Sequence, residues 1–94
     1  MYECHITIEP VLDEDRLTML RHLCEALEFK VSKLYMIKTD EQSTKDTFVT
    51  GRDGNMQLLT AKMRMLDKAL TRNGFKVWRR KIELIILDER VVKL

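Results

Sequence analysis

The sequence predicts an α+β domain in which two helices cover one face of a four-stranded antiparallel sheet. Three observations predict this class. The predicted elements follow the order β-α-β-β-α-β, landmarks of the first half recur in the second, and 94 residues suffice for a single domain, residues 1–94. "FKV" occurs after each predicted helix, at 29–31 and 75–77, and "HIT" at 5–7 and "FVT" at 48–50 precede the helices.

The first two elements are predicted from their periodicity. Residues 2–9 alternate between apolar and polar, as a half-buried strand does, and Pro10 ends the strand because proline has no N–H to donate. Residues 13–29 have the apolar spacing of a helix, with carboxylates near the start where they suit the helix dipole. The residues predicted to face the core are Tyr2, Cys4, Ile6 and Ile8 of the strand, and Leu17, Leu20, Cys24 and Leu27 of the helix.

The middle of the chain contains two further strands. Residues 30–38 are rich in strand formers, residues 39–46 are polar and predict a loop, and residues 47–51 form a short third strand. The phase of the second strand is open. Either Lys33 and Tyr35 or the apolar residues beside them face away from the core, and the first arrangement buries the more apolar pair.

The last two elements repeat the helix and strand of the first half. Asn55 is a good N-cap for a helix that ends at Arg72, where Asn73-Gly74 is a strong stop signal. Residues 75–88 form the last strand. The residues predicted to be buried are Met56, Leu59, Met63, Leu66 and Leu70 in the helix, and Ile82, Leu84 and Ile86 in the strand.

This element order is that of the ferredoxin-like sandwich. In that fold the first and third strands lie at the centre of the sheet, both helices cover one face, and the other face is open. The functional question therefore concerns the side chains on the open face.

Composition narrows the classes of function. The net charge is +2, so no global positive field attracts nucleic acid, and any electrostatic site must be local. No apolar run is long enough to span a membrane, and we see no signal peptide. The two cysteines lack a metal-type spacing and are expected as reduced thiols in a cytoplasmic protein. Neither a metal nor a cofactor is predicted.

The open face is predicted to collect groups that donate hydrogen bonds to phosphate oxygens. An imidazole, two hydroxyls, a guanidinium and two ammonium groups lie near one phenyl ring, with carboxylates at intervals. The candidate ligand-binding residues are His5, Thr7, Lys33, Phe48, Thr50, Arg79 and Lys81, and the carboxylates are Glu3, Glu9 and Glu83. A wet face of an antiparallel sheet has a similar composition, so an ordinary solvated face fits the same pattern.

The tetrad His5-Ile6-Thr7-Ile8 resembles one signature of the two-histidine phosphoesterases, which include RNA ligase-like and cyclic phosphodiesterase enzymes. In that family two such tetrads flank a phosphate, the histidines act as general base and general acid, and the threonines hold phosphate oxygens. The second tetrad here would be Phe48-Val49-Thr50-Gly51, with phenylalanine in place of histidine and glycine in the last apolar position. Family members are also usually about twice as long. The resemblance therefore implies phosphate binding without efficient hydrolysis.

Three functions remain open at this stage. The leading hypothesis is a non-catalytic protein that binds a phosphate-bearing ligand, a nucleotide or RNA. The second is a hydrolase of cyclic phosphodiesters that works as a homodimer through His5, which would then be the catalytic residue. The third is an interaction module whose sheet face holds a protein partner or a second copy of the chain. The RNA-recognition motif has the same element order, but its aromatic-rich signature is absent from the third strand.

Overall fold

The computed structural model describes residues 1–32 and 46–86, and it confirms the α+β class and the predicted element order. The strands form one antiparallel sheet in the order β2-β3-β1-β4, consistent with the ferredoxin-like arrangement. The elements are β1 Tyr2–Ile8, α1 Glu14–Glu25, β2 Lys30–Ser32, β3 Thr47–Asp53, α2 Met56–Arg72 and β4 Val77–Leu84.

Strand β1 lies in the middle of the sheet, between β3 and β4. Its alternation places Cys4, Ile6 and Ile8 in the core, each fully buried, and Tyr2 packs against the margin of that core. The predicted phase of β1 is therefore confirmed, and His5 and Thr7 lie on the opposite face.

Helix α1 is shorter than predicted. The Asp13 carboxylate caps its start by accepting from the backbone N–H of Asp15 at 3.2 Å. Its end differs because Glu28 adopts a φ of 62°, a left-handed conformation that closes the last turn. This turn directs Phe29 into the core, where the residue is buried outside the helix.

Helix α2 begins and ends as predicted. The Asn55 side chain accepts from the N–H of Leu58 at 3.0 Å, and Gly74 follows the helix with a φ of 82°. Leu59, Leu66 and Leu70 are fully buried, and Met63 packs against the core. The prediction that Met56 is buried is wrong, because this first residue of the helix lies beyond the covered stripe and is half exposed.

Strand β4 is shorter than the predicted 75–88 and is less buried than its apolar run suggests. Ile82 packs against the core, but Leu84 is 58% exposed and Ile86 90% exposed, so both were wrongly predicted as buried. Leu84 pairs with Tyr2 at the end of the sheet, where the helices give little cover and Tyr2 itself is only half-buried.

Two further predictions concern the second strand and the absence of a membrane-spanning run. Only Lys30–Ser32 of the predicted second strand is described as strand, and Lys33 and Tyr35 lie outside the described residues. Neither described helix has the length and hydropathy needed to cross a bilayer.

Candidate functional site

The open face brings six of the seven predicted site residues together on three adjacent strands. The β1–β3 and β1–β4 registers align them in two rows that cross β3, β1 and β4. The first row is Thr50, His5 and Lys81, and the second is Phe48, Thr7 and Arg79. Neighbouring strands lie about 4.8 Å apart, so each row fits within the reach of one small ligand. The seventh residue, Lys33, is outside the part of the chain that the structure describes.

The imidazole of His5 is held through both of its ring nitrogens. Its Nε2 lies 2.7 Å from Glu3 Oε1, and its Nδ1 lies 3.3 Å from Thr50 Oγ1. When Nε2 carries the proton and donates to Glu3, Nδ1 accepts from the Thr50 hydroxyl. Glu3 is well placed to orient the ring, because its side chain is only 15% exposed and also accepts from Arg52 Nε. A proton transfer from His5 to a ligand would have to break one of these contacts.

A depression of about 230 Å³ opens between β1 and the edge strand β4. The Thr7 hydroxyl, the Arg79 guanidinium and the Lys81 ammonium supply donors around it, and Phe48 supplies an aromatic ring. The residues that line the depression are His5, Thr7, Phe48, Arg79, Lys81 and Glu83. This lining combines the hydrogen-bond donors and the aromatic surface that the sequence predicted for the face.

The two cations around the depression are not equally available to bind an anion. Lys81 Nζ lies 2.8 Å from Glu83 Oε1, and the hydrogen bond from this ammonium lowers the pKa of the Glu83 carboxyl. Glu83 is therefore ionised at neutral pH and competes with any anion for Lys81. Arg79, by contrast, makes no ion pair within 4.0 Å among residues 1–32 and 46–86. Two cations and one carboxylate leave the lining with a local net charge of +1 when His5 is neutral.

The two tetrads of the central strands are related by the antiparallel register. His5 is opposite Thr50, Thr7 is opposite Phe48, and the centre of this exchange is the pair Ile6 and Val49. Phe48 therefore occupies the position that corresponds to His5 in the other half. A phenyl ring has no proton to give or take, so these two positions provide at most one acid–base group.

Gly51 also has a structural reason for its place at the end of the second tetrad. It lies on the core face of β3 opposite Cys4, and it is buried. A Cβ at this position would lie 2.8 Å from three atoms of the Phe29 ring. The ring of Phe29, which enters the core after α1, thus takes the place of the apolar side chain that is missing from the last position of the tetrad.

Two residues were not given a role by the sequence. Glu3 was predicted only to face outward, although its position two residues before His5 on one strand could have indicated the contact. Trp78 had no informative signal, because no local pattern marks the register shift between β1 and β4 at which it lies. Within the described ranges, no three or more His, Cys, Asp or Glu side chains form a metal-binding group.

The chain matches no protein-family model and no curated protein. Function is therefore inferred from the residues of the face itself.

Proposed function

We propose that the open sheet face binds a phosphate-bearing ligand, a nucleotide or RNA, without efficient hydrolysis. The observation that carries the proposal is the depression between β1 and β4. There Arg79, which forms no ion pair within 4.0 Å among the described residues, shares the lining with the Thr7 hydroxyl and the half-buried Phe48 ring. Donors next to an aromatic ring match a ligand that joins a phosphate to a base.

Each lining residue has a distinct role in this proposal. The Arg79 guanidinium presents parallel N–H groups that suit two oxygens of one phosphate. Lys81 adds a compact positive charge once the ligand displaces Glu83 from it. The Thr7 hydroxyl donates to a third oxygen, and the base of the ligand stacks on Phe48.

The same geometry argues against efficient catalysis. Both nitrogens of His5 already have partners, and the position related to it by the register is Phe48. The resemblance to the two-histidine phosphoesterases then extends to the phosphate-holding threonines and to one histidine, but not to the acid–base pair. His5 acts in this proposal as a group that binds and positions the ligand.

Calorimetric titration of the full chain with uridine monophosphate tests the proposal, with uridine as the phosphate-free control. We expect Arg79→Ala to weaken nucleotide binding about tenfold or more, since a hydrogen bond to a charged group contributes ~1.5–3 kcal/mol. Glu83→Gln is expected to strengthen binding, because it frees Lys81. Arg64→Ala, at an exposed position of helix α2, is the matched control and should change nothing.

Two results would contradict the proposal. Equal affinities for uridine and its monophosphate, or equal effects of Arg79→Ala and Arg64→Ala, would show that no phosphate binds at this face. Turnover of a cyclic nucleotide phosphodiester that disappears in His5→Ala would replace the binding function with that of a hydrolase.

A further inference from the structure

Trp78 is an extra residue in the ladder between β1 and β4. Ile8 pairs with Val77 and Thr7 pairs with Arg79, so two successive residues of β1 face two residues of β4 that are separated by Trp78. The ladder needs no residue at this position, and a bulge of this kind re-aims a side chain. Trp78 is the only tryptophan of the chain, and its side chain is left 56% exposed.

A second depression, of about 850 Å³, lies along the edge of β4 and the end of α2 and includes Trp78. Its lining contains the cations Lys76, Arg79 and Arg80 and one carboxylate, Asp67, which forms an ion pair with Arg80. The lining is therefore positively charged around an exposed indole ring.

The two depressions share a wall. Arg79 lines both the depression of the open face and the one that contains Trp78. A phosphate bound by Arg79 would therefore have the Phe48 ring on one side and the Trp78 ring on the other. Because the open-face depression measures about 230 Å³, a ligand longer than one nucleotide must extend beyond it.

We infer that the ligand is a single-stranded RNA that crosses the edge of the sheet, with one base on Phe48, a phosphate at Arg79 and a following base on Trp78. This inference rests on the proposed function and specifies its ligand. Aromatic rings separated by cationic groups are the chemistry that binds single strands, since every base can stack and every linkage carries a charge. A duplex does not fit, because its bases are stacked on one another and cannot reach either ring.

The fluorescence of the full chain tests this directly, since Trp78 is its one tryptophan. We expect an oligouridylate of about eight nucleotides, within the site sizes typical of small single-strand-binding domains, to quench the fluorescence. It should also bind about tenfold more tightly than uridine monophosphate, because stacking on a second ring adds affinity. Uridine monophosphate should bind without quenching.

Variants at position 78 separate stacking from charge. Deleting Trp78 leaves a regular ladder, so the sheet should form, as circular dichroism can verify. By calorimetry, this deletion and Trp78→Leu should lose the tenfold advantage of the oligonucleotide and leave monophosphate affinity unchanged. Trp78→Phe should retain most of the advantage. The control is Leu58→Ala, which changes an exposed apolar residue away from the site, on α2.

The outcomes distinguish this inference from the function on which it rests. An oligonucleotide that binds no tighter than the monophosphate, or a duplex that quenches equally well, would overturn the single-strand path while Arg79-dependent monophosphate binding still stood. If neither ligand binds, the proposed function fails, and the single-strand path fails with it.

Discussion

Replacing Gly51 with alanine is expected to destabilise the domain through one contact. The added methyl group would lie 2.8 Å from three atoms of the Phe29 ring, about 0.7–1.2 Å inside the ~3.5–4.0 Å of an ordinary carbon–carbon contact. The ring cannot move outward freely, because Phe29 is 1% exposed and is surrounded by close-packed neighbours.

The size of the effect follows from overpacking. Forcing an extra methyl group into a well-packed core costs about 1–3 kcal/mol. A domain of this length has a free energy of unfolding of roughly 5–14 kcal/mol, so the loss is a substantial part of the total. For a domain of this size, each lost kcal/mol lowers the melting temperature by about 4–8 °C.

Urea unfolding monitored by circular dichroism measures this loss, and Gly54→Ala is the matched control. A Cβ at Gly54 meets nothing within 4 Å, and its φ is not in the left-handed region. Gly54→Ala is therefore expected to be neutral or stabilising by up to about 1 kcal/mol. If Gly51→Ala unfolds at the same urea concentration as the wild type, Phe29 does not lie against this strand and the account of Gly51 is incorrect.

Three further predictions concern strand phase, backbone strain and pH. His5→Ala should lower the free energy of unfolding by less than about 1 kcal/mol, as surface changes usually do. Cys4→Asp buries an unpaired carboxylate and should cost several times more. Equal losses of stability in urea unfolding would mean that the phase of β1 is wrong. Glu28→Gly should be about 1 kcal/mol more stable than Glu28→Ala in the same assay. Both variants lose the ion pair with Lys62, but only glycine adopts a φ of 62° without strain. Equal stability of the two variants would contradict this. Burial raises the pKa of the Cys4 thiol to about 11, and burial together with a nearby carboxylate raises that of Cys24 to about 12, both from 9.0. The stability that the neutral thiols contribute is therefore complete below pH 9 and is lost as the pH rises toward 11–12. The urea midpoint should fall above pH 9 less steeply in the Cys4→Ala/Cys24→Ala double variant, and identical pH profiles would refute the assignment.

The sequence predicted the central strand well because the alternation of its own residues is regular. In β1, polar and apolar residues alternate without interruption, and the burial of Cys4, Ile6 and Ile8 follows that period. The same pattern could not reveal how far the helices extend over the sheet. Leu84 and Ile86 are as apolar as the core residues, but Leu84 is the exposed last residue of β4 and Ile86 lies beyond the strand.

The sequence could predict which residues share the open face, but not how they are aligned across the strands. Alternation places His5 and Thr7 on one side, whereas the rows across the sheet depend on the β1–β4 register and its bulge, which no local signal marks. The end of α1 was missed for a related reason. Glu28 adopts a left-handed conformation that its side chain does not favour, so composition continued the helix to Phe29.

The central position of β1 determines when the core can assemble during synthesis. This strand leaves the ribosome before the other described elements, yet both of its neighbours, β3 and β4, lie after residue 46. Such distant pairings are slow to form, because a long loop must close before any contact is gained. Until then β1 has no described strand to pair with, since β2 pairs with β3. Among the described strands, the apolar side of residues 4–8 is thus the one that stays accessible to chaperones for longest.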